Sequence, residues 1–482
     1  MARRRGGRRA GLPGRALRSA CLPAHRRLLL RLAFALALAA AAGCATPPPG
    51  PDPRALGARP VFVVDERGKP ALRKPDEVAR RVADDATEGD LLAEHLAHVE
   101  GALASPLVLG NEARVLIDGP ATHRAMFRAI ADATRHIHLE TYILETGEPG
   151  ERLAALLTER RAAGVEVRVL YDSVGSLATP PEYFERLRAA GIEVCEFNPV
   201  NPLRRAVGWR LNNRDHRKLL VVDGRVAFTG GINISGVYSA GSSGSGGSAP
   251  SVKEGWRDTH VAVEGPVVAE FQQLFLASWR RQRCSAPPVG EYVVRDEPRG
   301  DKAMRLLAAD PEVGRSDFYV ALLSAIDHAR HRVWITNGYF VPDDGMLQGL
   351  IGAARRGVDV RLVLPGFSDF WAPFHAGRSH YVALLAAGVR ILERHDAMLH
   401  AKTAVIDGVW SSIGSTNLDW RSFVHNYEAD LLLLDPAFGR EMEQMFHRDE
   451  KVAREVDPAE WAQRGFVDRM LEWFARRWAY LL

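Results

Sequence analysis

Two stretches of the chain repeat a spacing of histidine, lysine and aspartate suited to chemistry on an anion. The first reads Asp215-His216-Arg217-Lys218-Leu-Leu-Val-Val-Asp223-Gly224, the second Leu399-His400-Ala401-Lys402-Thr-Ala-Val-Ile-Asp407-Gly408. In an extended strand alternate side chains share a face, so His216 and Lys218 point the same way, as do His400 and Lys402. Asp223 and Asp407 stand an odd number of residues from their histidines and face the other side. They are therefore read as structural, fixing the strand end and turn. The match runs further. Asn233 and Asn417 each follow their histidine by 17 residues, and Asp258 and Glu428 follow at 42 and 28. The excess of 14 is close to the length of a Gly/Ser-rich stretch around 241–251, which reads as an insertion in the first copy. One His-x-Lys-x4-Asp is a weak signal; two, each followed by Asn at the same offset and then a carboxylate, are a strong one. Two buried strands with incidental His and Lys are a poor alternative, because lysine is almost never fully buried without a partner.

These residue types suit transfer at a phosphodiester. A lysine on each side neutralises the non-bridging oxygens and the charge that grows in the transition state, and asparagine amides add hydrogen bonds. One histidine must be neutral to attack phosphorus; the other must be protonated to donate to the leaving alcohol. Two identical side chains then do opposite jobs, set by environment. Asp258 and Glu428 are suited to hold the imidazoles through their other nitrogen. No metal-ligand set accompanies these groups, and no metal or other cofactor is expected. The four cysteines, Cys21, Cys44, Cys195 and Cys284, show no CxxC or Cys/His ligand spacing. Cys195 lies in an apolar run and reads as a small buried hydrophobe; a Cys195–Cys284 disulfide is the alternative in an oxidising compartment.

The elements that must position these groups are themselves repeated. Glu151-Arg-Leu-Ala-Ala-Leu-Leu, then Gly164 and the strand Val165-Glu-Val-Arg-Val-Leu-Tyr-Asp172, returns as Leu350-Ile-Gly-Ala-Ala-Arg-Arg-Gly357 and Val358-Asp-Val-Arg-Leu-Val-Leu-Pro365. Leu187-Arg-Ala-Ala-Gly-Ile-Glu-Val matches Leu384-Leu-Ala-Ala-Gly-Val-Arg-Ile, and His138-Leu-Glu-Thr-Tyr-Ile matches Ile335-Thr-Asn-Gly-Tyr-Phe. Helices closed by glycine and followed by buried strands give an α/β architecture with helices on both sheet faces. Residues 105–290 form the first lobe and 300–482 the second, joined by a proline-bearing connection at 286–300. The Gly/Ser stretch lacks the Lys-Ser/Thr and the strand–turn–helix setting of a phosphate-cradling loop, and is read as a plain loop.

Of the 482 residues, 46% are hydrophobic and 25% charged, an ordinary globular composition. The formal charge of +4 is misleading, because residues 1–31 hold ten arginines and no acid, leaving the remainder at about −6. That balance argues against a nucleic-acid partner. The arginines lead into Leu32-Ala-Phe-Ala-Leu-Ala-Leu-Ala-Ala-Ala-Ala-Gly43-Cys44. The apolar run is too short to span a bilayer and suits an export signal. Ala41-Ala42-Gly43-Cys44 resembles a bacterial lipobox. Residues 1–43 are thus expected to be a signal peptide removed before a lipidated Cys44. Residues 44–104 are expected to be a proline-rich tether and N-terminal extension. The expected location is the periplasmic face of the envelope, as a membrane-anchored lipoprotein; which membrane and what oligomeric state are left open.

The motif residues resemble the phospholipase D superfamily, and more narrowly the bacterial cardiolipin synthases. The narrower features are Arg214-Asp-His-Arg-Lys-Leu-Leu-Val-Val-Asp-Gly, Gly230-Gly-Ile-Asn, Trp256-Arg-Asp and Gly414-Ser-Thr-Asn-Leu-Asp-Trp-Arg-Ser-Phe. The resemblance covers about residues 105 to 482. It implies two phospholipase D-like α/β sandwich lobes related by a pseudo-twofold, with one shared active site. It implies a covalent phosphohistidine, with His216 as nucleophile and His400 as acid and then base, although the near-symmetry leaves that order open. The implied reaction joins two phosphatidylglycerols into cardiolipin, releases glycerol and needs no nucleotide. Anionic phospholipid and a membrane surface are the implied partners. Some of these synthases carry paired N-terminal membrane helices; the lipobox-like segment stands there instead.

Two surface features have two readings each. Arg204, Arg205, Arg210, Arg214 and Arg217 interleave with Trp209 as either an anionic headgroup site or a solvated basic loop. The aromatic and basic segment from Trp461 to Leu482 either lies on the bilayer or packs onto the body. A hydrolytic phospholipase D differs from the lead reading only in taking water at the second step. A nuclease of the same superfamily lacks support from the acidic body, the export signal and the absent pattern of stacking aromatics. A non-catalytic lipid-binding protein fits least, since both His-Lys pairs are intact.

Overall fold

A computed structural model of the chain describes residues 60–83, 86–201, 212–242, 255–285, 292 and 297–481. Outside them lie the expected signal and tether, Cys44, Arg204, Arg205, Trp209, Arg210, most of the Gly/Ser stretch and most of the 286–300 connection. Strands β1 (Val61–Val64) and β2 (Pro70–Arg73) form a hairpin ahead of the first lobe. That lobe contains β3 (Leu107–Ile117), β4 (His136–Thr141), β5 (Glu166–Asp172), β6 (Glu193–Phe197), β7 (Arg214–Asp215), β8 (Lys218–Val222), β9 (Val226–Gly230) and β10 (Thr259–Glu264). Its sheet runs β6-β5-β4-β8-β9-β10-β3.

The second lobe contains β11 (Lys302–Asp310), β12 (Arg315–Ser316), β13 (Arg332–Asn337), β14 (Phe340–Val341), β15 (Asp359–Pro365), β16 (Arg390–Arg394), β17 (Lys402–Ile406), β18 (Trp410–Gly414), β19 (Leu418–Asp419), β20 (Asn426–Leu434) and β21 (Ala453–Glu455). Its main sheet runs β16-β15-β13-β17-β18-β20-β11, the same order strand for strand. In each lobe three parallel strands joined by crossover helices meet four antiparallel ones. The two sheets touch edge to edge where β3 pairs antiparallel with β11.

Alternation along the motif strands explains the layers. In β8, Leu219 and Val221 join the apolar cluster between the lobes, while Leu220 and Val222 face the helices of the first lobe's outer side. In β17, Val405 faces the central cluster, and Ala404 and Ile406 face the outer side of the second lobe. Strands buried on both faces need continuous apolar runs, which is why neither motif alternates polar with apolar. Helices Val268–Arg281 and Pro436–Val452 supply Phe271, Met442 and Phe446 to the central layer.

The described part of the N-terminal extension is folded. β1 pairs with β3, and helices Pro75–Val82 and Ala86–Val99 follow. Leu91, Leu92 and Leu96 are buried with Phe318, Ala321 and Leu322, so this part of the extension completes the second lobe's outer layer. Arg330 is held by Asp90 and Glu94. Cys195 corrects its reading as a buried free thiol. It lies half-buried on the sheet-edge strand β6 and is bonded to Cys284, just beyond the Val268–Arg281 helix. Among the described residues no helix is long and apolar enough to cross a membrane.

Candidate active site

The two motifs meet through their backbones. Arg214 and Asp215 of β7 pair with Asn426 and Tyr427 at the start of β20, and the His216 N–H donates to the Tyr427 carbonyl at 2.9 Å. The same arrangement recurs with the lobes exchanged. Arg257 bridges to Leu399, and the His400 N–H donates to the Arg257 carbonyl at 2.8 Å. Each histidine therefore sits against the carboxylate-bearing strand of the other lobe. The side chains follow: His216 Nδ1 lies 2.9 Å from the Glu428 carboxylate, and His400 Nδ1 lies 2.7 Å from Asp258. A carboxylate accepting from Nδ1 leaves Nε2 for the reacting atom.

The lysines follow the same symmetry. Lys218 Nζ donates to the His216 carbonyl at 2.6 Å, and Lys402 Nζ donates to the His400 carbonyl. Each ammonium also lies over a tyrosine, Lys218 5.3 Å from the Tyr142 ring centre and Lys402 5.9 Å from that of Tyr339. Those rings stand edge-on to His216 at 5.1 Å and to His400 at 5.8 Å. All six motif side chains of the two histidines, two lysines and two carboxylates are buried, with His216 retaining 8% exposure and His400 5%.

The other expected residues are placed as follows. Asn233 Oδ1 accepts from the Ile143 N–H at 3.1 Å, fixing the turn that carries Tyr142. Asn417 Oδ1 is buried with no hydrogen-bond partner among the described residues. Asp223 accepts from the N–H groups of Thr134, Arg135 and His136, and Asp407 from those of Arg330, Arg332 and His331. Both aspartates adopt positive φ, 57° and 48°, at the turn closing the motif strand. Their carboxylates tie that turn to the strand beside it.

For Arg214 and Arg217 both readings, headgroup ligand and solvated loop, are corrected. Arg214 is buried against Asp172 and donates to the Asn198 and Asn213 carbonyls. Arg217 donates to the Glu428 and Ala309 carbonyls and to Ser278. A guanidinium has five donors, and here internal acceptors take them.

Burial and neighbouring charge separate the two halves. Burial, then Lys218 and Lys402, pushes His216 well below the ordinary histidine range. Burial and Lys402 lower His400 as well, but Asp258 opposes them. Glu428 is lifted by burial to about 7, against the pull of Lys218. Burial would lift Asp258 too, yet the charge and hydrogen bond of His400 hold it below the usual carboxylate range. The lysines are lowered by burial, Lys218 to about 7 and Lys402 to about 8. The His400–Asp258 pair thus favours charge separation more than the His216–Glu428 pair. Such a site can offer a neutral imidazole and a protonated one to the two sides of a phosphodiester, with ammonium groups for its anionic oxygens.

Four aromatic residues complete the site, none of them named as a site residue from the sequence, although Trp256 stood in a motif. Tyr142 and Tyr339 occupy matched places in the repeat, which was the available signal. The Tyr238 hydroxyl lies 3.2 Å from His400 Nδ1, and the Trp256 ring centre 5.2 Å from that of His400. Trp256 adjoins the Arg-Asp pair of its motif; nothing in the repeat marks Tyr238, and among the described residues no hydroxyl of a tyrosine stands in the same way at Nδ1 of His216.

Comparison with protein families matches the "Cardiolipin synthase, PLD-like domain" over residues 126–238 and 322–450. A cardiolipin synthase of Geobacillus thermodenitrificans is 36% identical over 393 residues, spanning 80% of this chain and 75% of that protein. Cardiolipin synthase A of Pseudomonas fluorescens is 38% identical over 360 residues, spanning 74% and 72%. Among solved structures, a phosphatidylserine synthase from Haemophilus influenzae aligns with a TM-score of 0.55 at 14% identity over 77% of this chain and 95% of that one, a likeness of fold. Duplicated lobes, paired motifs and these relatives agree, and the chain belongs to the cardiolipin synthase-like family of the phospholipase D superfamily.

Proposed function

We propose that the chain is a phosphatidyltransferase that joins two phosphatidylglycerols into cardiolipin through a phosphohistidine. The observation that carries this is the crossed pairing of His216 with Glu428 and His400 with Asp258, one His-Lys set on each side of a single site. Its family relatives named as cardiolipin synthases support the substrate. His216 Nε2 attacks the phosphorus of the first lipid. The bond from phosphorus to the glycerol oxygen breaks, and protonated His400 gives that oxygen its proton. This leaves phosphatidyl-His216, free glycerol and neutral His400. The hydroxyl of a second phosphatidylglycerol then attacks phosphorus while His400 takes its proton. The phosphorus–nitrogen bond breaks, and His216 is regenerated. Lys218 and Lys402 hold the non-bridging oxygens throughout. The assignment of His216 as nucleophile is supported by Glu428 beside it, which burial lifts to about 7 and so leaves less able to hold a protonated imidazole, and of His400 as acid by the ionised Asp258.

The reaction is set at a membrane surface, outside the cytoplasm. The export reading of residues 1–43, with lipidation at Cys44, is supported by the Cys195–Cys284 bond, since structural disulfides persist in oxidising compartments. A Cys44→Ser protein should lose its lipid label and the salt-resistant part of its membrane association. The decisive assay for the reaction supplies the purified protein with phosphatidylglycerol vesicles and reads products by mass spectrometry, with and without added glycerol. Cardiolipin that falls as glycerol is added supports transfer. Phosphatidic acid alone would replace it with hydrolysis.

A further inference from the structure

Helix Phe466–Arg476 turns its apolar side outward. Phe466, Val467, Met470, Trp473 and Phe474 share one face by helical spacing and are 49% to 75% exposed. The opposite face buries Glu472, tied to Arg464, and Ala475, which packs on Val341 and Ala376. Trp371 extends the exposed face, its ring 6.5 Å from that of Phe474, and Phe370 precedes it. Water-soluble surfaces seldom leave so many large apolar side chains contiguous.

The patch is joined to the active site. Asp369, next to Phe370, accepts from the Tyr339 hydroxyl at 2.5 Å, and Tyr339 stands edge-on to His400. The first lobe makes the matching link through the backbone of its tyrosine. In the loop after β5, Ser176 donates to the Tyr142 carbonyl at 3.2 Å, and Tyr142 stands edge-on to His216. That loop exposes Val174 and Leu177, the latter at 72%. Each lobe thus places exposed apolar side chains on the loop that backs its site tyrosine.

We propose that these loops and the Phe466–Arg476 helix form one docking rim that seats the active site on an anionic phospholipid bilayer. The proposal rests on the phospholipid reading above. Tryptophan and phenylalanine suit the interfacial layer, and exposed Arg469, Arg476 and Arg477 beside the stripe attract an anionic leaflet. Docking brings a lipid phosphate to histidines that are themselves almost wholly enclosed.

The test uses the full chain with Cys21→Ser and Cys44→Ser, and a fluorophore on an added cysteine at Met470→Cys, Leu177→Cys or, as control, Arg128→Cys on the outer helix of the first lobe. Vesicles of phosphatidylglycerol with brominated acyl chains should quench the probes at 470 and 177 and leave the one at 128 bright. No quenching at 470 and 177, or equal quenching at all three, would overturn the proposal. So would shielding of the 470 probe by self-association without vesicles. In unlabelled protein, Phe466→Ser with Trp473→Ser should lower turnover of vesicle phosphatidylglycerol about tenfold. Turnover of a short-chain monomeric phosphatidylglycerol should stay within about twofold of the parent; an equal loss on both substrates would count against docking. Quenching without any turnover would keep the docking and sink the transferase reading. Turnover without quenching would sink the docking alone.

Discussion

Laid over one another, the half of the molecule bearing His216 and the half bearing His400 have the same strand order and the same exchange of carboxylates across the lobe boundary. They part company around the imidazoles. Glu428 is lifted to about 7 by burial and shared with Ser415 and Asn426, whereas Asp258 stays ionised and His400 has the Tyr238 hydroxyl as an additional neighbour. They also differ on their outer faces. The second lobe is covered by the Ala86–Val99 helix, while the first presents an open groove of about 1050 Å³ whose lining mixes arginines such as Arg114 and Arg124 with carboxylates such as Glu112 and Asp132. The difference teaches that duplication supplies matched geometry, and that local burial and charge then divide the labour.

Removing either reacting group tests whether the halves form one site. His216→Ala and His400→Ala should each reduce turnover by about 10⁴-fold or more, since both steps need both imidazoles. Appreciable activity in either single variant would mean two independent half-sites. The carboxylates should separate the halves. Asp258→Asn should cost about 10³-fold and Glu428→Gln about tenfold, because Asp258 is ionised beside its histidine throughout and Glu428, lifted to about 7, only in part. Equal losses in steady-state kinetics would erase the proposed division of roles.

A pH profile sharpens the same point. Burial and Lys402 lower His400, the acid of the first step, and burial holds Lys218 near 7 and Lys402 near 8, so kcat/KM should fall as pH rises through neutrality, as His400 loses its proton and the ammonium charges follow. The acid limb should lie well below pH 6.5, because His216 stays neutral there. A rate that climbs from pH 7 to 9 would contradict this. The smallest difference is expected at the scaffold. Asp223→Ala and Asp407→Ala each strip three backbone N–H groups of their acceptor and should destabilise by about 2–4 kcal/mol, alike in thermal melts. A large disparity would show that the two turns are not equivalent.

Much of this was legible beforehand because it is local. The strand period placed each His and Lys on one face and each motif aspartate on the other. Repeated glycine-closed helices and apolar strands gave the two-lobed α/β class. Residues 61–99 were harder, because the Leu91-Leu92 and Leu96 pattern is short and its partner surface lies some 230 residues away in the second lobe. Arg214 and Arg217 misled for a related reason. Charge in sequence reads as exposure unless the internal acceptors can be seen, and those lie on Asn198, Ala309 and Glu428.

By itself, then, the sequence determined the reacting groups, their duplication and the face each one takes, since these follow from residue type and backbone period. Only the tertiary structure decided which carboxylate serves which histidine. That choice is made by the pairing of β7 with β20 and of Arg257 with Leu399 across the lobe boundary, contacts that no local spacing encodes. It also decided the unequal charge of the two imidazoles, because desolvation and Coulomb forces depend on what is packed nearby rather than on what is adjacent in the chain.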